Sequence, residues 1–399
     1  MARVDRTKPK ITIASSLSLP FKSGSGLNAL RLAVTLVNKG YDVNHFTYDW
    51  GGKYPRHQWH QGVHILRSTF FWASYGESKL KLYLSIPFIV LYYIKAIYSS
   101  TLVILFGPMG SFRILSLCII IAKVFRKKVV YRSTMLGGDD ISQLIKDFPS
   151  LSTKKILNAL DGYWSLSPAF TQSFLRHIHS PEKVLESFQG VDTQQFFPVS
   201  DQRRNTLREK YKLPLDVPVI VSVGYVKKRK GYGQMFEVLS DIQAPFLYIV
   251  VGQYQADQYA STKQDRREME QLYQQGLTKL NKKVQFLGEQ DNVSEWLQLS
   301  EIFLLNSRQE GVPNVLLEAM ACGLAIATRP IPGVDKILTM HTQNAEVFST
   351  KEEMQISVEK LIGDKKYREL LGNSAHQFIM EQYSLGMVAE KIVDKFVAI

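Results

Sequence analysis

Along the chain, short apolar runs alternate with segments whose apolar positions recur at a spacing of three or four residues. The runs Lys10–Ala14, Asp42–Phe46, Thr101–Phe106, Val129–Tyr131, Asp161–Ser167, Val219–Gly224, Phe246–Gly252, Val284–Gly288, Glu301–Leu305 and Leu324–Ala327 read as strands, most of them buried. Helical spacing predicts helices over Leu27–Lys39, Ile114–Ala122, Ala169–His179, Gln264–Asn281, Asn292–Ser300 and Leu385–Val397. A further helix opens near Pro313, since proline is tolerated in a first turn, and Gly323 can close it as a C-cap. Strand, helix, strand in regular alternation is the pattern of parallel α/β sheets. The polar segment Ser200–Lys212, with Pro214 and Pro218 beyond it, reads as a linker into a second domain. A length of 399 residues agrees with two domains.

One stretch departs from the alternation. Lys79–Ser100 is apolar, and its longest uncharged run, Leu82–Ile94, has 13 residues and contains Pro87. That is short of the roughly 20 residues a helix needs to span a bilayer. Lys79, Lys81 and Lys95 stand beside Tyr83, Tyr92 and Tyr93. The stretch is either a core helix of the first domain or an interfacial helix in a lipid headgroup region. Charge keeps the second reading open. Residues 1–195 hold 24 Lys+Arg against 11 Asp+Glu, so the whole net charge of +13 lies there, and the remainder balances at 25 of each. Such asymmetry suits an anionic partner such as acidic lipid or a lipid diphosphate, or serves solubility alone. The two cysteines, Cys118 and Cys322, sit in apolar stretches without a metal-ligand neighbour, and read as small core hydrophobes. The basic start MARVDRTKPK runs into a strand rather than an apolar leader core, so no secretory signal is expected and the setting reads as cytoplasmic.

The densest candidate chemistry lies in Ser307–Gly323, SRQEGVPNVLLEAMACG, where seven residues separate Glu310 from Glu318. Between them the helix start offers N–H groups at Asn314, Val315 and Leu316, which with the helix dipole suit a diphosphate. Carboxylates accept hydrogen bonds from paired hydroxyls. A ligand with hydroxyls on both sides of a diphosphate, a nucleotide sugar, uses all three features. The run EGVPNVLLEAMACG, with the trailing GLAIAT and PGV, resembles the signature of glycosyltransferase family 4. The likeness is strong over about residues 215–340.

That resemblance implies an α/β GT-B fold: two Rossmann-like domains with parallel sheets facing a central cleft. Residues 1–198 would be the acceptor domain and 199–379 the nucleotide-sugar domain, with a final helix at about 380–399 packing back on the first. In such enzymes the first glutamate, here Glu310, contacts the donor sugar's hydroxyls, and the second, here Glu318, the ribose. Lys230 before Gly231 matches a phosphate-binding lysine. The usual arginine position holds Tyr225, and Arg229 offers a substitute guanidinium able to bind phosphate bidentately. Lys227 and Lys228 read as solvated charge. Gly311, Gly24 and Gly26 in the loop Ser15–Gly26, Gly224 at a strand end, and Leu287 beside the base complete the expected donor side.

The acceptor side falls to Arg132–Asp140, RSTMLGGDD, which follows a strand directly, where open α/β sheets place ligands. Thr134 stands where the family often has histidine. Asp139 and Asp140, with Arg132 and Thr134, are the candidates there, although the two acids can equally cap the helix beginning at Ile141. They are adjacent rather than spaced as D-x-D, which gives little support to a metal-dependent class.

The implied reaction is retaining and metal-independent. A hexose moves from a UDP-linked donor to a glycan or lipid-linked acceptor, as in surface-polysaccharide assembly, with no cofactor and no divalent metal expected. Cations stabilise the leaving diphosphate, and one lysine at about 4 Å contributes on the order of 4 kcal/mol at an effective dielectric near 20. Peripheral contact with an anionic membrane through the first half is left open. A sugar-nucleotide epimerase of the same fold, acting without an acceptor, is the alternative. A solute-binding protein would need an export signal. A nucleic-acid binder would leave Glu310 and Glu318 without a task, and its basic residues would gather in a recognised module.

Overall fold

The apolar runs build two separate sheets, each in its own unit: Met1–Gln189 with Leu385–Ile399, and Gly190–Ser384. The structure is a computed structural model and describes residues 7–20, 24–50, 52–70, 79–255, 263–308, 310, 312–331 and 339–397.

In the first unit the strands are β1 (Ile11–Ser15), β2 (Val43–Trp50), β3 (His57–His60), β4 (Val63–Phe70), β5 (Leu102–Phe106), β6 (Lys128–Arg132), β7 (Gly162–Ser165) and β8 (Val184–Glu186). They lie in the order β3-β4-β2-β1-β5-β6-β7-β8. β5, LVILF, is buried throughout, as expected of a strand covered on both faces. The sheet is not purely parallel, because β3 runs antiparallel to β4 at the edge. Gln61 and Gly62, both at positive φ, make the two-residue turn between them.

Helices cover this sheet: α1 (Gly24–Asn38), α2 (Lys79–Ile97), α3 (Phe112–Val124), α4 (Ile141–Asp147), α5 (Leu151–Asn158) and α6 (Pro168–Leu175). α1 opens at Gly24 rather than Leu27, which puts Gly24 and Gly26 inside the helix and not in the loop before it. Gly26 is buried there, and nothing in a Gly-Ser-Gly start forbids a helical turn. α2 satisfies both halves of its ambiguous sequence. Ile89, Tyr92, Tyr93, Ala96 and Ile97 are buried, while Tyr83, Leu84, Leu91, Lys95 and Tyr98 form an exposed stripe. Among the described residues no helix is long and apolar enough to cross a membrane.

The second unit holds β9 (Val219–Val223), β10 (Leu247–Val251), β11 (Val284–Gly288), β12 (Ile302–Leu305), β13 (Ala325–Thr328) and β14 (Glu346–Val347), in the order β11-β10-β9-β12-β13-β14. Every pairing is parallel. Its helices are α7 (Asp201–Lys210), α8 (Tyr232–Asp241), α9 (Lys263–Leu280), α10 (Val293–Gln298), α11 (Asn314–Ala321), α12 (Lys351–Gly363) and α13 (Lys365–Gln382). The chain then returns to the first unit as α14 (Leu385–Phe396), which packs against α1 and β8. Phe396 lies where a side chain on Gly162 would stand, its ring 2.3 Å from an added Cβ.

The expected linker is a helix instead. Ser200 caps α7 by accepting from the Arg203 N–H at 3.2 Å. Arg208 is buried, donating to Leu299 O at 2.9 Å and Val217 O at 3.2 Å and pairing with Glu301. One inward arginine with a full set of acceptors holds a helix whose composition reads as solvated.

Candidate active site

In an order of 3-2-1-4-5-6, the connections leaving the first and fourth strands diverge to opposite faces, and ligands bind in the crevice between them. Here those strands are β9 and β12, and the segments leaving them carry Lys230 and Glu310. From β9 the chain turns through Gly224, at φ 141°, and a short 3-10 turn over Lys228–Lys230, and enters α8 through Gly231 at φ 74°. Gly231 is required: a Cβ there would lie 2.3 Å from the Asn306 carbonyl oxygen. The two segments are stitched together by Arg308 N–H donating to Arg229 O at 2.8 Å and by Asn306 Nδ2 donating to Gly231 O at 3.3 Å.

This folding brings three of the expected residues together. Lys230 Nζ donates to Glu310 Oε1, and Arg229 Nη1 lies 3.6 Å from the same oxygen. The Lys230 and Glu310 side chains are 13% and 12% exposed, whereas Arg229 is 49% exposed. Burial lowers the Lys230 ammonium from its usual range, and the Glu310 carboxylate opposes that shift. The lysine lies back over Gly224, whose missing Cβ would meet Nζ at 3.7 Å. Tyr232, which the sequence did not single out, fixes the Gly224 carbonyl with its hydroxyl at 3.1 Å. Lys227 and Lys228 face α9 instead: Lys227 pairs with Asp265 at 3.5 Å, and the Lys228 N–H donates to Glu268 at 2.6 Å.

Glu318 is 5% exposed in the middle of α11. The helix ends as predicted at Gly323, φ 74°, with Gly323 N–H donating to Met320 O at 3.0 Å and Leu324 N–H to Ala319 O at 3.1 Å. That pair of bonds is a Schellman motif. Leu316 departs from expectation, because its N–H is taken by Pro313 O at 3.1 Å in a tight first turn. Asn314 and Val315 remain the first-turn residues. Leu287 sits in β11, and its carbonyl accepts from Gln290 Nε2 at 2.8 Å. Gly311 and the PGV triplet, residues 332–334, lie outside the described residues.

In the first unit, the two acids after β6 build their own loop. Asp139 accepts from the N–H groups of Thr134 at 2.8 Å and Met135 at 2.7 Å, and from Thr134 Oγ1 at 2.7 Å. Asp140 caps α4 at Gln143 N–H, 3.3 Å, and also accepts from Gly137 N–H at 2.6 Å and from Ser173 Oγ. These carboxylates cap the helix and scaffold the loop, and Thr134 is held with them. Arg132, 2% exposed, stacks between Phe106 and Trp164 with its guanidinium carbon 4.8 and 5.0 Å from the ring centres. Its Nη2 donates to Gln189 Oε1 at 3.3 Å, while Nε and Nη1 have no partner among the described residues. Burial pulls its pKa down to about 10.

Comparison with known proteins bears on the fold and the family. Residues 203–378 match the family model described as glycosyl transferases group 1. The chain has the GT-B fold, and its residues 203–378 are related to that group. A curated relative, N-acetyl-alpha-D-glucosaminyl L-malate synthase of Bacillus anthracis, is 22% identical over 70% of each chain. The chain spans about half the length of several other curated relatives. Among solved structures, sucrose-phosphate synthase from Thermosynechococcus elongatus superposes with a TM-score of 0.79 at 18% identity, over 98% of this chain and 99% of that one. Anabaena Alr3699/HepE in complex with UDP and glucose gives 0.74 at 16%, over 98% and 100%. Among the described residues no group of three or more His, Cys, Asp or Glu side chains could hold a metal ion.

Proposed function

We propose that this glycosyltransferase is a family 4 type enzyme. It moves a hexose from a UDP-linked donor to a glycan or lipid-linked acceptor with retention at C1 and without a metal ion. The observation that carries the reading is the Lys230–Glu310 pair, flanked by Arg229, at the ends of the two strands where the sheet order reverses. A carboxylate for sugar hydroxyls and an ammonium for phosphate oxygens are in contact, as the sugar–diphosphate junction of the donor requires.

The donor's C1–O bond breaks with its electron pair going to UDP. Lys230 and Arg229 take up the charge that grows on the diphosphate, in a partly dehydrated setting where such contacts are strong. The acceptor oxygen bonds to C1 on the face the diphosphate leaves, and its proton passes to a donor phosphate oxygen. Glu310 orients the sugar, which lowers the barrier by positioning alone. Glu318 holds the ribose, the first turn of α11 at Asn314 and Val315 faces the diphosphate, and the β11 end at Leu287 lies by the base. Gly224 leaves room for Lys230. In the first unit, Arg132 and Thr134 serve the acceptor.

The exposed stripe on α2, with Ile120 and Val124 of α3 also exposed, supports peripheral contact with an anionic membrane, at the cytoplasmic face in this reading. The test of the central claim is product formation from UDP-hexoses with and without acceptor. Transfer that requires acceptor and is lost in Glu310→Ala, while UDP still binds, supports it. Epimerised sugar nucleotide formed without acceptor sinks it.

A further inference from the structure

A second hollow lies in the same unit, at the carboxyl ends of β12 and β13. It has a volume of about 380 Å³ and is lined by Gln234, Asn306, Arg308, Arg329, Thr350 and Lys351, among others. That size is within the range of small-molecule sites. None of the residues assigned above to the donor lines it.

Its charge is unbalanced. Neither guanidinium, of Arg308 or of Arg329, has a hydrogen-bond or ion-pair partner among the described residues. Lys351 is partly neutralised by Glu237 from α8. The backbone N–H groups of Ser349 and Thr350 are taken by Glu353 Oε2, at 2.6 and 3.3 Å, so the cations and not the start of α12 are what the hollow offers an anion. Two guanidiniums suit a phosphate, which accepts paired N–H donors in the plane of each fork.

A second observation concerns Asn306. It is 1% exposed, its Nδ2 donates to Gly231 O and to Gln234 Oε1, and its Oδ1 is buried with no partner. A buried acceptor without a donor is costly and is met by a ligand or water in most native structures. It repels an anion but welcomes a hydroxyl. Two guanidiniums and an unpaired amide acceptor on residues lining one hollow describe one ligand carrying both a phosphate and a hydroxyl.

We propose that this hollow binds a phosphorylated monosaccharide or a similar hydroxyl-bearing phosphomonoester. Because Asn306 packs against Gly231, next to Lys230, and Arg308 N–H holds Arg229 O, occupancy bears directly on the segment that carries the two donor cations. The claim of a binding site stands apart from the donor reading, and the link to the donor cations rests on it.

Isothermal titration with glucose 6-phosphate, glucose and inorganic phosphate, each with saturating UDP present, tests the site. Expected is binding of glucose 6-phosphate that survives UDP and weakens about tenfold or more in Arg329→Gln and in Arg308→Gln, each of which removes charge-assisted hydrogen bonds. Arg308 is exposed, so its variant keeps the test independent of folding. Glu310→Gln leaves this binding intact, which separates failure of this site from failure of the donor site. No binding by any of the three probes, competition by UDP, equal binding of inorganic phosphate, or unchanged binding in both arginine variants would each overturn the proposal.

Discussion

Lys230 is a costly residue to hold where it is. Its ammonium is largely dehydrated, and the partner that compensates, Glu310, is in this reading also the group that must turn to the sugar. Donor binding exchanges that pairing for two new ones, phosphate on the lysine and hydroxyls on the acid. Lys230→Met should therefore lower kcat/KM by about 10²–10³, the range seen when one donor to a developing charge is removed. A loss below tenfold in steady-state assays would remove the lysine from that role. Glu318→Ala should weaken UDP about tenfold or more, the worth of hydrogen bonds to a charged group, in a titration with UDP alone.

His45 gives a prediction of a different kind. It is buried on β2 with Nε2 3.1 Å from Ser15 Oγ, and burial, with Arg67 nearby, pulls its pKa from 6.5 down to about 3. The unfolded chain then binds more protons than the folded one between those values, so stability falls as pH drops through that window. The slope is up to about 1.4 kcal/mol per pH unit. Chemical denaturation at pH 7 and pH 5 should show the loss, and His45→Gln should flatten it.

At the scale of elements, the demanding joint is Gly231. It combines left-handed backbone with a carbonyl oxygen where a Cβ would go. Gly231→Ala should cost at least about 1–3 kcal/mol of stability and, by shifting Lys230, weaken UDP binding; thermal unfolding with and without UDP separates the two. The strand–turn–helix unit around Glu310 and the strand before Gly224 were legible in the sequence because buried parallel strands and glycine stops leave strong local marks. Other elements were not. β3 is a short edge strand without a buried residue, and β4, although largely buried, breaks its apolar run with His64, Arg67 and Ser68. α7 was hidden because its hold on the core is a buried arginine, which composition counts as surface charge. The roles of Asp139 and Asp140 were legible only as alternatives, since a cap and a ligand contact use the same residue type; in the structure Asp140 caps α4 and Asp139 holds the loop before it. Asn306 and Arg329 gave no signal at all, because a cavity depends on which strand ends lie side by side.

For the whole molecule, the positive surplus confined to residues 1–195 meets the exposed apolar stripe of α2 on the same unit. Flotation with anionic vesicles should recover the protein at low salt and lose it as screening rises. Replacing Leu84 and Leu91 with serine should reduce recovery without altering UDP affinity. Recovery equal on neutral vesicles would count against this contact.

The return of the last helix to the first unit gives the two units unequal autonomy. Residues 190–384 form one unbroken stretch that can be expressed as a gene fragment, while its counterpart is assembled from segments on either side of it. A ribosome completes residues 190–384 before the first unit owns its full complement of core residues. Deleting Leu385–Phe396 would thus injure the half farthest from the cut in sequence.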